Sequence, residues 1–141
     1  MIITLYGPDS YRRKKKLGEL VDNYLEKRTS LAFEMIDAED EGALERARTF
    51  LGTPSLFQDS KLVIIKNAIS GVDHGYFKKI FKNITSSKEA TLLLSDGAKL
   101  IPKELSFLKE KPNLTQEFAN FDKAGLISFI RGEAKSRNII I

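Results

Sequence analysis

The 141-residue chain has no cysteine, no tryptophan, four prolines and a single histidine, His74. Without thiols there are no disulfides, no thiolate metal sites and no cysteine nucleophile. One histidine excludes a histidine-rich metal site and makes any Ser-His-Asp triad depend on His74 alone. The G-x-S-x-G elbow that would expose a nucleophilic serine is absent as well. No apolar run approaches the roughly 18 residues of a membrane span. The opening "MIITLYGPDS" has no basic segment before an apolar one, so it does not read as a secretory signal. The expectation is a cytoplasmic protein with no membrane partner, no metal and no cofactor.

What is present is ordinary in amount and uneven in distribution. Apolar residues make up 42% and charged residues 30%, the balance of a globular domain, and the length suits one core. Net charge is +4 with a sequence pI near 9.2. Five consecutive cations, Arg12, Arg13, Lys14, Lys15 and Lys16, stand near the start, whereas "FEMIDAEDEGALERA" is acidic. One region should therefore carry positive potential and another negative. The ending "RNIII" suggests the first domain of a longer protein.

Apolar runs alternate with helical spacing. "IITLY" (2–6), "KLVIIK" (61–66) and "ATLLLS" (90–95) read as strands buried on both faces. "LAFEMI" (31–36) alternates and reads as a more exposed strand, and "LTQEF" (114–118) as a fifth. Helices are expected from Ser10 to about Arg28, capped by Asp9 or Ser10, and over 41–51 with Leu44, Ala47 and Leu51 inward. A short helix presents Phe77, Ile80 and Phe81, and another near 102–110 carries Leu105 and Leu108. The last, from about Asp122 to Arg137, is expected to bury Leu126, Ile127, Ile130 and Ala134. The order βαβαβαβαβα argues for one α/β domain, a five-stranded parallel sheet with helices on both faces.

In such a domain ligands bind beyond the C-terminal ends of the strands. The first loop there, "YGPDSYRRKK", stands where a P-loop would read G-x-x-x-x-G-K-[ST]. Counted from Gly7, Arg12 takes the second glycine's place, Arg13 the lysine's and Lys14 the hydroxyl's. A side chain at the second glycine obstructs the approach of backbone amides to phosphate, and a lysine cannot ligate magnesium. The third strand ends in Lys66 and Asn67, where a nucleotide hydrolase would place a metal-binding acid. No ATPase is expected.

The remaining candidates are weaker. The cations at 12–16 can be a solvated helix face, or can contact DNA phosphate or a neighbouring subunit. His74 reads as an exposed loop residue, "SDG" (95–97) as a strand-ending turn, and "DAEDE" (37–41) as an acidic helix start without EF-hand spacing. In "GTPSLFQDSKLVII", Leu56 and Phe57 follow Thr-Pro-Ser on a turn. Two bulky apolar side chains there must be covered by the chain's own core or by a partner.

These features together resemble the delta subunit of the bacterial DNA polymerase III clamp loader. "IITLYGPDSYRRKKKLGEL", "TPSLFQDSKLVIIKN", "ATLLLSDGAKL" and "FIRGEAKSRNI" carry the resemblance, which extends over the whole chain. It implies an AAA+-like (P-loop NTPase-like) domain over 1–141, with the family's helical lid and collar absent from this chain. It also implies a non-catalytic subunit of a DNA-directed DNA polymerase holoenzyme that binds the sliding clamp and helps open it. Ser55, Leu56 and Phe57 would be the clamp-binding tip. Lys61 stands where the family often has arginine. Other loader subunits would join through the absent domains, and DNA would be met in the assembled loader. The rival reading is a DNA- or phosphoanion-binding module working through Gly7 to Arg13 and the basic helix.

Overall fold

Five parallel strands in the order β2-β3-β4-β1-β5 form a single sheet. The computed structural model describes residues 1–27, 31–53, 60–82, 90–120 and 123–136, with side chains of the last helix described over 127–133. The strands are β1 (Ile2–Tyr6), β2 (Leu31–Asp37), β3 (Ser60–Lys66), β4 (Ala90–Asp96) and β5 (Leu114–Glu117). Between them run α1 (Ser10–Lys27), α2 (Ala43–Gly52), α3 (His74–Phe81) and a 3₁₀ segment (Lys103–Lys109); α4 (Lys123–Ser136) follows β5.

The three continuous apolar runs are the three central strands, as their composition requires. Alternate side chains serve opposite faces. Leu62 and Ile64 of β3 join Ile3, Leu5, Leu93 and Leu17 beneath α1. Val63 and Ile65 join Ile2, Leu92 and Leu94 on the other face, where α2, α3 and the 3₁₀ segment supply Leu44, Ala47, Phe77, Phe81, Leu105 and Leu108. On the first face α4 lies beside α1. Lys15 pairs with Glu133 at 2.6 Å, and the Tyr11 and Phe129 rings meet edge to face at 6.0 Å.

β2 is an edge strand, and its alternation reflects that: Phe33 and Met35 are 44% and 49% exposed. The structure differs from expectation in three places. The 102–110 segment is a 3₁₀ turn, kinked at Leu105 (φ −105°, ψ 20°), rather than an α-helix. Ile127 and Ile130 of α4 are exposed rather than buried, and Leu25, in the last turns of α1, is exposed as well. His74 is not an exposed loop residue. It opens α3, half-buried, with Nε2 donating to the Ile69 carbonyl at 2.8 Å. Among the described residues no helix is long and apolar enough to cross a membrane.

Candidate functional site

β1 delivers the chain to Gly7 at the C-terminal edge of the sheet. Gly7 adopts φ +128°, and a Cβ there would stand 2.3 Å from the Phe118 carbonyl oxygen, so only glycine fits. The glycine therefore serves packing against the segment after β5.

A phosphate cradle needs backbone N–H groups that point at the ligand. Here they are committed within the chain. Gly7 N–H donates to the Asp96 carbonyl (3.1 Å) and Asp9 N–H to the Phe118 carbonyl (3.0 Å). Arg12 N–H donates to Asp9 Oδ1 (3.1 Å), and Arg13 N–H to the Asp9 carbonyl (3.1 Å). Asp9 thus caps α1, and its carboxylate sits at the helix N-terminus where a bound phosphate would sit. Burial works against its charged form, but bonds and charge from Arg12 outweigh it and hold its pKa below the usual carboxylate range.

The basic run divides by role. Arg12 pairs with Asp9 (2.8 Å), donates to the Ala119 carbonyl (2.6 Å) and stands over the Phe118 ring. Arg13 reaches across the ends of β1 and β4, donating to the Gly7 carbonyl and, at 3.2 Å, to Ser95 Oγ. Lys15 is held by Glu133. Among the described residues only Lys14 and Lys16 of the five make no ion pair or hydrogen bond. Sequence reasoning could not divide them so, because Ala119, Ser95 and Glu133, the distant partners of Arg12, Arg13 and Lys15, lie 82 to 118 residues away.

Two polar residues at this edge are structural. Asp96, buried at the end of β4, accepts from Ile69 N–H (2.9 Å), Ser70 N–H (2.7 Å), Ser70 Oγ (2.8 Å) and Ala98 N–H (2.7 Å). Burial raises its pKa, but those bonds prevail and leave it below the ordinary value. Asn67 follows β3 in the left-handed region (φ 56°), and its amide donates to Asp37 Oδ1 at 3.0 Å. That bond is the main reason Asp37 is more acidic than usual. The acidic run 37–41 forms this turn, ahead of an α2 that starts at Ala43. Among the described residues no acidic or histidine cluster could hold a metal.

Beside the closed loop lies a cleft of about 580 Å³, lined on one side by Arg13, Lys14, Leu17 and Val21 and on the other by Met35, Lys66 and Asn67. The carboxylate-bearing end expected of a hydrolase's third strand is here the exposed Lys66.

In fold, the chain is similar to a bacterial clamp loader delta protein. The solved structure is the Bacillus subtilis DNA clamp loader delta protein (YqeN), at TM-score 0.64 and 18% identity. The match covers 96% of this chain and 43% of the delta protein, so the chain spans less than half of that protein's length. No family model matches the sequence, and no curated protein does. At this identity the likeness concerns the fold alone, an α/β architecture that agrees with the five-stranded parallel sheet described above.

Ser55, Leu56 and Phe57 lie outside the described residues, within 54–59. The anchors of that stretch are described. α2 ends at Gly52, and β3 begins at Ser60, at the N-terminal edge of the sheet and opposite the closed loop. Lys61 clasps the two anchors. Its Nζ donates to the Phe50 carbonyl (2.7 Å) and to the Thr53 carbonyl, and lies 5.5 Å from the Phe50 ring. A cation on the last carbonyls of α2 also suits the helix dipole.

Proposed function

We propose that this chain is a non-catalytic clamp-loader domain of the delta type, which binds a sliding clamp and helps to open it during DNA replication. The observation that carries the proposal is the pairing of two features. The fold is similar to a clamp loader delta protein along 96% of the chain, and the loop where an NTPase would hold phosphate is closed by Asp9 and Arg13. A domain so built acts through binding energy rather than hydrolysis.

Leu56 and Phe57, with Ser55 before them, are the residues proposed to enter an apolar pocket on the clamp. Burying two such side chains contributes roughly 3–6 kcal/mol before the costs of association. That suffices for an interface hot spot. A domain that binds the open or strained ring better than the closed one shifts the ring toward opening. The other loader subunits and primed DNA would be met by the assembled machine. Titrating the chain against a labelled bacterial sliding clamp tests the proposal: saturable binding that ATP does not alter supports it, and absence of binding contradicts it.

A further inference from the structure

The cleft beside α1 has a composition that neither a clamp contact nor a closed nucleotide loop requires. Its lining includes three cations, Arg13, Lys14 and Lys66, against one acid, Asp22. Asp37 lies close enough to feel Lys66 but accepts its hydrogen bonds from Asn67 and Glu39. Lys14 and Lys66 are exposed, and among the described residues neither makes an ion pair. Between the cations the walls are apolar: Leu17 and Val21 of α1 face Met35 of β2, which is 49% exposed. α1 covers the central strands and leaves this part of the edge strand open.

We propose that this cleft binds a small phosphate monoester bearing an apolar body, without a metal ion. The volume of about 580 Å³ lies within the roughly 300–1,000 Å³ of small-molecule sites. An excess of positive charge repels a divalent cation, and several converging cations suit a dianion better than a single carboxylate. Lysine serves phosphate as a point charge, needing no fixed fork geometry. Arg13 already donates to Gly7 and Ser95, so it adds charge, while Lys14 and Lys66 supply the direct contacts. Leu17, Val21 and Met35 give the organic part a dry wall. The site lies along α1 toward β2, not on the loop between Gly7 and α1, whose amides are already committed. Binding therefore needs neither a P-loop nor magnesium.

The test is calorimetric titration of the chain with phenyl phosphate, inorganic phosphate and phenol in metal-free buffer. Phenyl phosphate is expected to bind at least about tenfold tighter than either of the other two. Lys14→Ala with Lys66→Ala should weaken it by about tenfold or more, and Met35→Glu should do the same. All three positions are exposed, and circular dichroism of each variant checks that the fold is retained. Displacement of phenyl phosphate by AMP but not by a 5′-phosphorylated oligonucleotide would identify a free metabolite as the source, and displacement by both a nucleic-acid end. Absence of phenyl phosphate binding, equal binding of inorganic phosphate, or affinity unchanged in the folded variants would each overturn the proposal.

Discussion

Replacing Asp96 with alanine should destabilise the domain by about 3 kcal/mol. The carboxylate is 3% exposed and accepts four hydrogen bonds, from Ile69, Ser70 (two) and Ala98. A bond to a charged acceptor contributes roughly 1.5–3 kcal/mol, but the four are not additive. Ser70 is exposed and Ala98 half-buried, so their groups can turn to water once the carboxylate is gone. Ile69, at 3% exposure, cannot do so easily, and its N–H would be left without an acceptor. One orphaned donor plus partial losses at the other two residues, less the relief of removing a buried charge, gives the figure of about 3 kcal/mol. For a domain of this size the melting temperature should fall by roughly 8–15 °C. Asp96→Asn should cost less at neutral pH, since its amide oxygen still accepts. The pH dependence follows from the lowered pKa. A carboxyl more acidic in the folded state stabilises it at pH above the unfolded value, near 4, and that stabilisation is lost as pH falls through the folded pKa. The gap between wild type and the asparagine variant should therefore close on acidification. Urea unfolding at neutral and acid pH measures both effects. An alanine variant within about 1 kcal/mol of wild type, or a gap that stays constant with pH, would refute the reasoning.

Lys61→Met should loosen the clasp between α2 and β3 and lower clamp affinity, whereas Lys61→Arg, which keeps the charge and the donors, should largely restore it; equal affinity in the methionine variant would remove Lys61 from the account. The purified chain should not turn over ATP, with or without magnesium, and phosphate release that Arg13→Ala abolishes would contradict the closed loop. Duplex DNA should bind weakly and with a shallow salt dependence, because Arg12, Arg13 and Lys15 are engaged within the chain. Each phosphate contact adds roughly 0.9 to the slope of log affinity against log salt, so a slope well above about 2 would revive the nucleic-acid module.

The central sheet was legible because strands buried on both faces are apolar without interruption, as in β1, β3 and β4. The edge position of β2 was legible in its alternation. The 3₁₀ segment was not, since Leu105 and Leu108 stand three apart, a spacing that suits a 3₁₀ turn and an α-helix alike. Nor was the exposure of Leu25. An 18-residue helix is about 27 Å long, longer than the strands of five to seven residues that it covers, so its last turns overhang the sheet. Ile127 and Ile130 have helical spacing, which marks an apolar face without saying what covers it. At the site, the loss of the P-loop could be read from Arg12, Arg13 and Lys14 alone. What closes the loop was legible only in part: Asp9 could be read as a cap, but Ser95 and the Phe118 carbonyl reach the loop only after the sheet has formed.

The proposed clamp-binding role of Leu56 and Phe57 is tested most directly by measuring sliding-clamp affinity and melting temperature together on Leu56→Ala/Phe57→Ala. If the pair is an interface wedge, affinity falls by about tenfold or more while unfolding free energy changes by under about 1 kcal/mol. A sharp drop in melting temperature would instead make the pair part of the core, where truncating a buried phenylalanine alone costs roughly 3–5 kcal/mol. Unchanged clamp affinity in the folded double variant would contradict the role proposed for Leu56 and Phe57.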